Sequence, residues 1–313
     1  MRVVSVINYK GGVGKTTVTA NLGAELARRG FRVLLIDLDP QASLTFSFYD
    51  PNEWEASLAD SHTIKRWFDE LVVAQGDTSL VDLIVRPPAA NARIKGAGSI
   101  DLVASHLGLI NVDLVLAAEL VVAPAKSRPK YLEVHSWLAA GLASPGLPAY
   151  DVVLIDCPPN FNVVTKTAIV ASDDILIPSR ADYLSTLGIS YLLGNVNDLV
   201  GEYNEYTGQV GGKRAKTWTR IEPRVLGVLF TMVQLYGGRP TIASQDFISR
   251  MQNRLMVPTF DVKIRSHQGV FAQSSHKGVP VALTPELHSD VAREIRNLAT
   301  EFLAKIGWKD SND

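Results

Sequence analysis

Eight residues near the start of the chain combine glycines, lysines and threonines at a spacing suited to binding phosphate. This segment, named the phosphate loop, is Lys10-Gly11-Gly12-Val13-Gly14-Lys15-Thr16-Thr17. Glycines let the backbone approach a phosphate closely, and the start of the following helix offers N–H groups and partial positive charge. Lys15 is expected to reach the β- and γ-phosphates, and the Thr16 hydroxyl to ligate Mg²⁺. The loop therefore predicts that the chain binds ATP and Mg²⁺ and hydrolyses the nucleotide.

The residue just before the phosphate loop departs from the strict pattern. A glycine is expected five residues before Gly14, where this chain has Tyr9, and a second lysine, Lys10, comes next. An incidental glycine turn is the alternative interpretation. The apolar strand pattern before the loop and the helical pattern after it favour phosphate binding, because the mechanism requires both.

Three aspartates follow predicted strands at the point where each strand ends. Asp37 and Asp39 come after the second strand, and Asp156 follows a later one. The carboxyl ends of parallel strands meet at one edge of a sheet, which is where ligands bind. Carboxylates there can hold Mg²⁺ through water and orient an attacking water. One such aspartate is often only a helix cap or turn residue, but three together favour a site for phosphoryl transfer.

The elements that must position these residues are visible as short, β-branched, almost uncharged runs. These runs are Val3–Ile7, Val33–Ile36 and Val152–Ile155, with Ile175–Pro178 and Val225–Thr231 as further candidates. Between the first two, Thr16–Arg29 has the apolar pattern of a helix that ends at Gly30. This βαβ pattern predicts an α/β fold, doubly wound, with a mostly parallel twisted sheet and helices on both faces.

The rest of the chain fits one domain over residues 1–313, with two less regular insertions. Residues 51–97 suggest loops around one or two short helices, and residues 204–222 suggest a flexible segment. A further helix is predicted at about Lys130–Leu142. The last helix has one apolar face, and the second insertion and its border carry five basic residues: Lys213, Arg214, Lys216, Arg220 and Arg224.

Composition excludes several classes of protein. The formal net charge of the 313 residues is −1, so binding to nucleic acid must come from a local patch. A single cysteine, Cys157, cannot build a disulfide framework or a cysteine-based metal site within the chain, which favours a reduced, cytoplasmic setting. No run reaches the roughly 18 apolar residues that a transmembrane helix needs.

Three motifs together resemble a known family. The phosphate loop, Asp37-Leu38-Asp39-Pro40-Gln41 and Val153-Leu154-Ile155-Asp156-Cys157-Pro158-Pro159 look like the deviant Walker ATPases of the ParA/MinD group, and the chain is most similar to ParA/Soj partition ATPases. The resemblance is specific over residues 1–45 and 150–195. It is recognisable at Asp101–Ser105 and from Val225 to about Val281, and it is absent from residues 51–97 and 204–222.

The resemblance implies a homodimer that sandwiches ATP. Lys10 matches the signature lysine that reaches the partner's phosphates, and Asp39 matches the aspartate needed for hydrolysis. Asp37 and Asp156 match residues around Mg²⁺ and its waters. Gly12 matches a position of close subunit approach, where a side chain should block dimerisation.

The ParA type implies non-specific DNA binding by the ATP dimer and slow hydrolysis that a ParB-like or other partner stimulates. The chain would then be a nucleoid-associated switch that drives plasmid or chromosome partition or positions a cargo. DNA binding needs basic side chains that face phosphates, although each candidate here is equally well a solvated surface charge. The candidates are Arg220, Arg224, Arg250, Arg254, Lys263 and Arg265.

The alternative within the group is a MinD-like membrane or cytoskeletal positioning ATPase without DNA binding. Such proteins end in a basic amphipathic membrane helix, whereas the last helix here has mixed charge and the tail is Lys309–Asp313, which disfavours membrane binding. Iron–sulfur relatives need dedicated cysteines, and a metabolic phosphotransferase would need an acceptor-binding motif that is not visible. The chain departs from the family at Arg265–Gln268, where Ile-Pro-Arg-Asn is usual, and in its basic insertion at residues 213–220.

Overall fold

A six-stranded parallel sheet forms the centre of the protein in the computed structural model, which describes residues 1–73, 76–122, 128–210, 218–236, 239–255, 257–267, 269–271, 278–284 and 289–308. The strand order is β3-β2-β4-β1-β5-β6. The strands are β1 (Arg2–Val6), β2 (Arg32–Asp37), β3 (Ser99–Val103), β4 (Val152–Asp156), β5 (Asp174–Arg180) and β6 (Arg224–Thr231). A short antiparallel ribbon follows, made of β7 (Leu235–Tyr236) and β8 (Arg239–Pro240).

Helices cover both faces of the sheet. They are α1 (Lys15–Arg28), α2 (Pro51–Ser57), α3 (Ile64–Val73), α4 (Pro88–Asn91), α5 (Leu109–Val122), α6 (Arg128–Leu142), α7 (Val163–Ala171), α8 (Tyr183–Gln209), α9 (Ile242–Leu255) and α10 (Ser289–Lys305). Single 3₁₀ turns lie at Thr45–Ser47, Leu80–Leu83 and Val281–Leu283.

In the described part of the chain, two large apolar cores lie one on each face of the sheet, and a small third cluster of Leu132, Val170 and Tyr203 lies among α6, α7 and α8. Alternate residues of a strand enter opposite cores, as Val4 and Val3 do in β1, because successive side chains of a strand point to opposite faces. The first core joins the sheet to α1 and α10. The second joins it to α3 and α5–α9. The predicted doubly wound parallel fold is confirmed.

The observed elements lie close to those predicted from the pattern, with three differences. The expectation of one or two short helices in residues 51–97 was wrong, since the described part of that segment contains α2, α3, α4 and a 3₁₀ turn. Strand β3 was not predicted from its apolar pattern, because Asp101 interrupts the run; its carboxylate is buried and binds Arg86 and Tyr150. Residues 204–209 belong to the end of α8 and do not begin the flexible segment expected there. Of the basic insertion, Lys213, Arg214 and Lys216 lie outside the described residues.

Candidate nucleotide-binding site

The phosphate loop connects the carboxyl end of β1 to the start of α1. Gly12 and Gly14 have φ values of 68° and 83°, in the left-handed region that favours glycine. Gly14 is the N-cap of α1, and no side chain caps the first N–H groups of the helix. The local sequence therefore builds an uncapped helix start behind a glycine turn, which is suited to an anion.

Lys15 lies inside the loop. Its side chain is buried, and its Nζ donates a hydrogen bond to the backbone oxygen of Asn8 at 3.2 Å. Burial lowers the pKa of Lys15, whereas the nearby carboxylates of Asp156 and Asp39 favour its charged form. A phosphate group at the loop would add further negative charge around this ammonium.

Asp156 is fully buried next to Thr16, whose hydroxyl donates to its Oδ2 at 2.6 Å. Its Oδ1 has no hydrogen-bond partner among the described residues. Burial, followed by repulsion from Asp37, raises the pKa of Asp156 well above its ordinary value. A carboxylate oxygen without a hydrogen-bond donor, close to other carboxylates, fits a divalent cation or its bound water. The oxygen ligands at this position are therefore compatible with Mg²⁺.

Asp37 is the neighbour of Asp156 in the β2–β4 register, but its oxygens are already occupied. Its Oδ2 accepts from the N–H and the hydroxyl of Thr45 at 2.8 and 2.7 Å, and its Oδ1 accepts from the N–H of Asp39 at 3.1 Å. Burial raises the pKa of Asp37 to about 7 despite these bonds. Asp37 therefore supports the turn and contributes charge, while among the described residues Oδ1 of Asp156 remains free to accept a hydrogen bond or bind a cation.

Asp39 lies in the turn after β2. Its Oδ1 accepts from the N–H of Gln41 at 3.0 Å. The hydroxyl of Ser105, just after β3, donates to the backbone oxygen of Asp39 at 2.7 Å. Ser105 and Thr45 were not expected as site residues from the sequence, because isolated hydroxyl residues give no pattern.

Lys10 extends from the loop to the start of α8. Its Nζ donates to Oδ2 of Asp182 at 2.7 Å and to the hydroxyl of Ser185 at 3.3 Å. Asp182 is also the N-cap of α8, because its Oδ1 accepts from the N–H of Ser185 at 2.9 Å. Burial by itself raises the pKa of Asp182, but the hydrogen bonds from Lys10 and Ser185 outweigh it and lower that pKa. The two lysines of the loop thus lie in different surroundings.

Tyr9, which replaces the expected glycine, ties the loop to α8. Its hydroxyl accepts a short hydrogen bond from Nδ2 of Asn195. Its ring centroid lies 5.5 Å from that of Tyr191 and 6.0 Å from that of Phe161. A glycine could make none of these contacts.

Thr231, at the carboxyl end of β6, supports the loop from the other side. Its hydroxyl donates to the backbone oxygen of Val13 at 2.6 Å, and the backbone oxygen of Ser179 lies 3.2 Å away. Thr231 and Val13 are both buried. The threonine lies in the part of the family resemblance that runs from Val225 to about Val281, but its role was not predicted.

A cavity of about 220 Å³ lies beside the phosphate loop. Its walls are largely apolar, and they include Arg265, Ser266 and His267 from the Arg265–Gln268 segment, where the chain departs from the family. The lining residues are Gly14, Thr17, Val18, Thr231, Met232, Ile264, Arg265, Ser266, His267 and Phe271. Gln268 lies outside the described residues.

The candidate DNA contacts fall in two places. Arg220 and Arg224 lie at the amino edge of the sheet, opposite the phosphate loop. There Arg224 binds Asp174 at 2.9 Å, and Arg220 is exposed. Arg265 lies near the loop and binds Glu294 at 2.6 Å.

The remaining candidates add no contiguous patch. The Nζ of Lys263 donates to the backbone oxygen of Asp261 at 3.1 Å. Arg250 and Arg254 belong to α9, and their side chains lie outside the described part of the chain. The described candidates therefore do not form a single basic surface within one copy.

Parallel strands with a glycine-rich loop between β1 and α1, and carboxylates at the same edge, define a P-loop nucleotide-binding protein. Residues 1–207 match the model of an AAA domain family. The chain belongs to that family, and it is of the ParA/Soj partition ATPase type, as its three motifs predicted.

The chain is similar to several known proteins. The sporulation initiation inhibitor protein Soj of Bacillus subtilis is 32% identical over 195 residues, which cover 62% of this chain and 64% of Soj. Cobyrinic acid a,c-diamide synthase of Mycobacterium smegmatis, solved with an ATP analogue and magnesium, is 26% identical; the match covers 93% of this chain and 97% of that one, with a TM-score of 0.60. Apo McdA of Cyanothece has the same fold, with a TM-score of 0.68, 20% identity and coverage of 96% and 99%.

Among the described helices, none combines the length with the apolar composition that crossing a membrane requires.

Proposed function

We propose that this chain is an ATP-dependent switch, in which two copies join with ATP between them and hydrolysis separates them. The observation that carries the proposal is the separation of the two loop lysines. Lys15 is buried within the loop of its own copy, whereas Lys10 is held on α8 with its side chain one-third exposed. One lysine is available to the phosphates of its own copy, and the other is available to those of a partner.

The roles of the remaining residues follow from their contacts. The Thr16 hydroxyl and Oδ1 of Asp156 would hold Mg²⁺ directly or through water, and Asp37 would add negative charge behind them. Mg²⁺, when bound, neutralises charge on the phosphate oxygens. Asp39 would orient the attacking water from the turn after β2. The apolar cavity between Val18 and His267 is suited to the nucleotide base, because bases bind by stacking and apolar contact.

Lys10 would act in trans. It would leave Asp182 and place its ammonium on the partner's phosphates, where a positive charge stabilises the transition state for phosphoryl transfer. Gly12 is compatible with this arrangement, because a β-carbon there would meet no described atom of its own copy within 4 Å beyond its chain neighbours. A side chain at Gly12 would strain the loop, since φ is 68°, and it would also extend into space that a second copy can occupy.

Two lysine variants test the proposal. Lys15→Ala should abolish ATP binding, measured by titration with a fluorescent ATP analogue. Lys10→Ala should leave ATP affinity within about threefold of wild type. It should lower the hydrolysis rate at saturating ATP by at least tenfold, which corresponds to a loss of about 1.4 kcal/mol of transition-state stabilisation. Hydrolysis by Lys10→Ala at the wild-type rate would contradict the trans role.

The cargo is proposed to be DNA or a nucleoid-bound assembly, with a ParB-like or other partner that stimulates slow hydrolysis. Membership of the ParA/Soj type supports this part of the proposal. A neutral chain binds DNA only through a local patch, and dimerisation can join basic residues of two copies into one surface. Binding should therefore require ATP and weaken steeply with salt.

A further inference from the structure

The first half of α8 carries no charge. Residues 183–197 contain no aspartate, glutamate, lysine or arginine, whereas Asp198, Glu202 and Glu205 follow in the second half of the same helix. One side of this first half is buried in the core through Ile189, Leu192 and Val196. An exposed side would ordinarily carry polar and charged residues, so its lack of charge needs an explanation.

The exposed side instead presents large apolar groups. Leu184, Leu187 and Tyr191 form the α8 patch, and they expose 69%, 44% and 68% of their surface. Their spacing of three and four residues places them on one face of the helix. Tyr191 also packs against Tyr9, which connects the patch to the residue that precedes the phosphate loop. Contiguous exposed apolar groups of this kind mark a site of interaction.

We propose that the α8 patch is the apolar part of the contact between two copies of this chain, and this inference rests on the proposed function. Lys10 binds Asp182 and Ser185, which flank Leu184 in sequence. A copy that receives Lys10 at its own phosphates must therefore lie over the first turns of α8. The patch is continuous with the surface that the trans lysine requires.

The chemistry of the patch also suits a second copy. Symmetric dimers place the same surface of each copy near its counterpart, so an uncharged surface can meet itself without repulsion. Interface cores are depleted of charged residues and enriched in tyrosine, as this patch is. DNA is a poor occupant, because no cation lies among residues 183–197 to contact phosphates.

The test compares two charged substitutions at equally exposed positions. Leu184→Glu places a carboxylate in the patch. Val73→Glu is the matched control, because Val73 is 60% exposed at the last residue of α3, the end opposite to Ile64, whose N–H donates to Ala104 after β3. Neither substitution fills a buried space, and circular dichroism would verify that both variants fold.

Sedimentation velocity of the full chain with Mg²⁺ and a non-hydrolysable ATP analogue would measure dimerisation. We expect Leu184→Glu to raise the dimer dissociation constant at least tenfold, while Val73→Glu stays within twofold of wild type and both bind the analogue normally as monomers. A wild-type dimer that Leu184→Glu leaves intact would overturn the α8 patch alone. A wild type that stays monomeric with the analogue would overturn the proposed switch as well.

Other occupants of the patch would be detected by the same variants. Retained dimerisation of Leu184→Glu, with loss of sedimentation on phosphatidylglycerol vesicles, would mean a lipid surface and would overturn the inference. Retained dimerisation with loss of binding to random-sequence duplex DNA would assign the patch to nucleic acid and would overturn it equally.

Discussion

The hydroxyl of Thr231 joins the sheet to the phosphate loop, and Thr231→Val removes that bond with little change in shape. The hydroxyl donates to the backbone oxygen of Val13 at 2.6 Å, and both residues are buried. Valine has nearly the volume of threonine but cannot donate a hydrogen bond. The substitution therefore tests whether the loop is held in its binding conformation by the end of β6.

The expected cost follows from the burial of the acceptor. Leaving a buried carbonyl without its donor costs about 1–3 kcal/mol, so the free energy of unfolding should fall by about 2 kcal/mol. Part of this loss would favour loop conformations that do not bind ATP. For each 1 kcal/mol by which those conformations are favoured, ATP binding weakens by about fivefold.

Urea unfolding and titration with a fluorescent ATP analogue would measure the two effects. Thr231→Ser keeps the donor and should retain nearly wild-type ATP affinity. Thr167→Val removes a buried hydroxyl of α7, which donates to the backbone oxygen of Val164 at 2.8 Å and lies outside the loop. It should lower stability without changing ATP affinity.

The reasoning is refuted if Thr231→Val binds ATP as tightly as wild type while its unfolding free energy stays within about 0.5 kcal/mol of it, the range of a neutral surface change. Equal losses of affinity in Thr231→Val and Thr167→Val would also refute it, because a general loss of stability would then explain both.

Three further predictions concern catalysis, pH and DNA. Asp39→Ala should retain ATP-dependent dimerisation but lose at least tenfold in hydrolysis, measured by phosphate release; wild-type turnover would contradict its role in orienting water. His135 is buried, and burial lowers its pKa to about 4 from an ordinary value near 6.5. The unfolded state therefore binds a proton at this group more readily between these values, so His135 alone should lower the free energy of unfolding by roughly 2 kcal/mol from pH 7 to pH 5. Asp37 and Asp156, whose pKa values are raised, change stability in the opposite direction over this range. The stability of wild type relative to His135→Phe in urea unfolding should therefore fall by roughly 2 kcal/mol between these pH values, and a difference independent of pH would contradict the assignment. Arg220→Glu should weaken ATP-dependent binding to random-sequence duplex and reduce its salt dependence in gel shifts, whereas an unaltered salt slope would remove Arg220 from the contact surface.

The sheet was predictable because its strands are buried on both faces. Such strands form short uncharged runs, as in Val152–Asp156, and the glycine loop identifies the first crossover. Strand β3, which the apolar pattern did not predict, contains Asp101, whose charge is balanced by Arg86 outside the strand. A partner fifteen residues away in sequence is a tertiary contact, which local patterns do not reveal.

The candidate site residues could be expected from the sequence where phosphate or Mg²⁺ binding requires a motif, but the different hydrogen bonds of each residue could not. Asp37 and Asp156 look equivalent in sequence, because each ends a buried strand. Their hydrogen bonds separate them, since Thr45 occupies Asp37 whereas Oδ1 of Asp156 has no partner in the described part of the chain. The supporting hydroxyls of Thr45, Ser105 and Thr231 are single residues on separate segments, so no spacing indicates them.

The contact between Lys10 and Asp182 gives the proposed switch a defined resting position. Lys10 must give up a carboxylate at 2.7 Å before it reaches another phosphate, and this pair is partly exposed and therefore weak enough to break. Phosphates concentrate more negative charge than one carboxylate, so bound nucleotide on a facing copy can draw the lysine across. When Lys10 leaves, Asp182 still caps α8 through Ser185, and the helix that carries the α8 patch keeps its position. In the proposed switch, Lys10 would therefore move between copies while the α8 patch keeps its position.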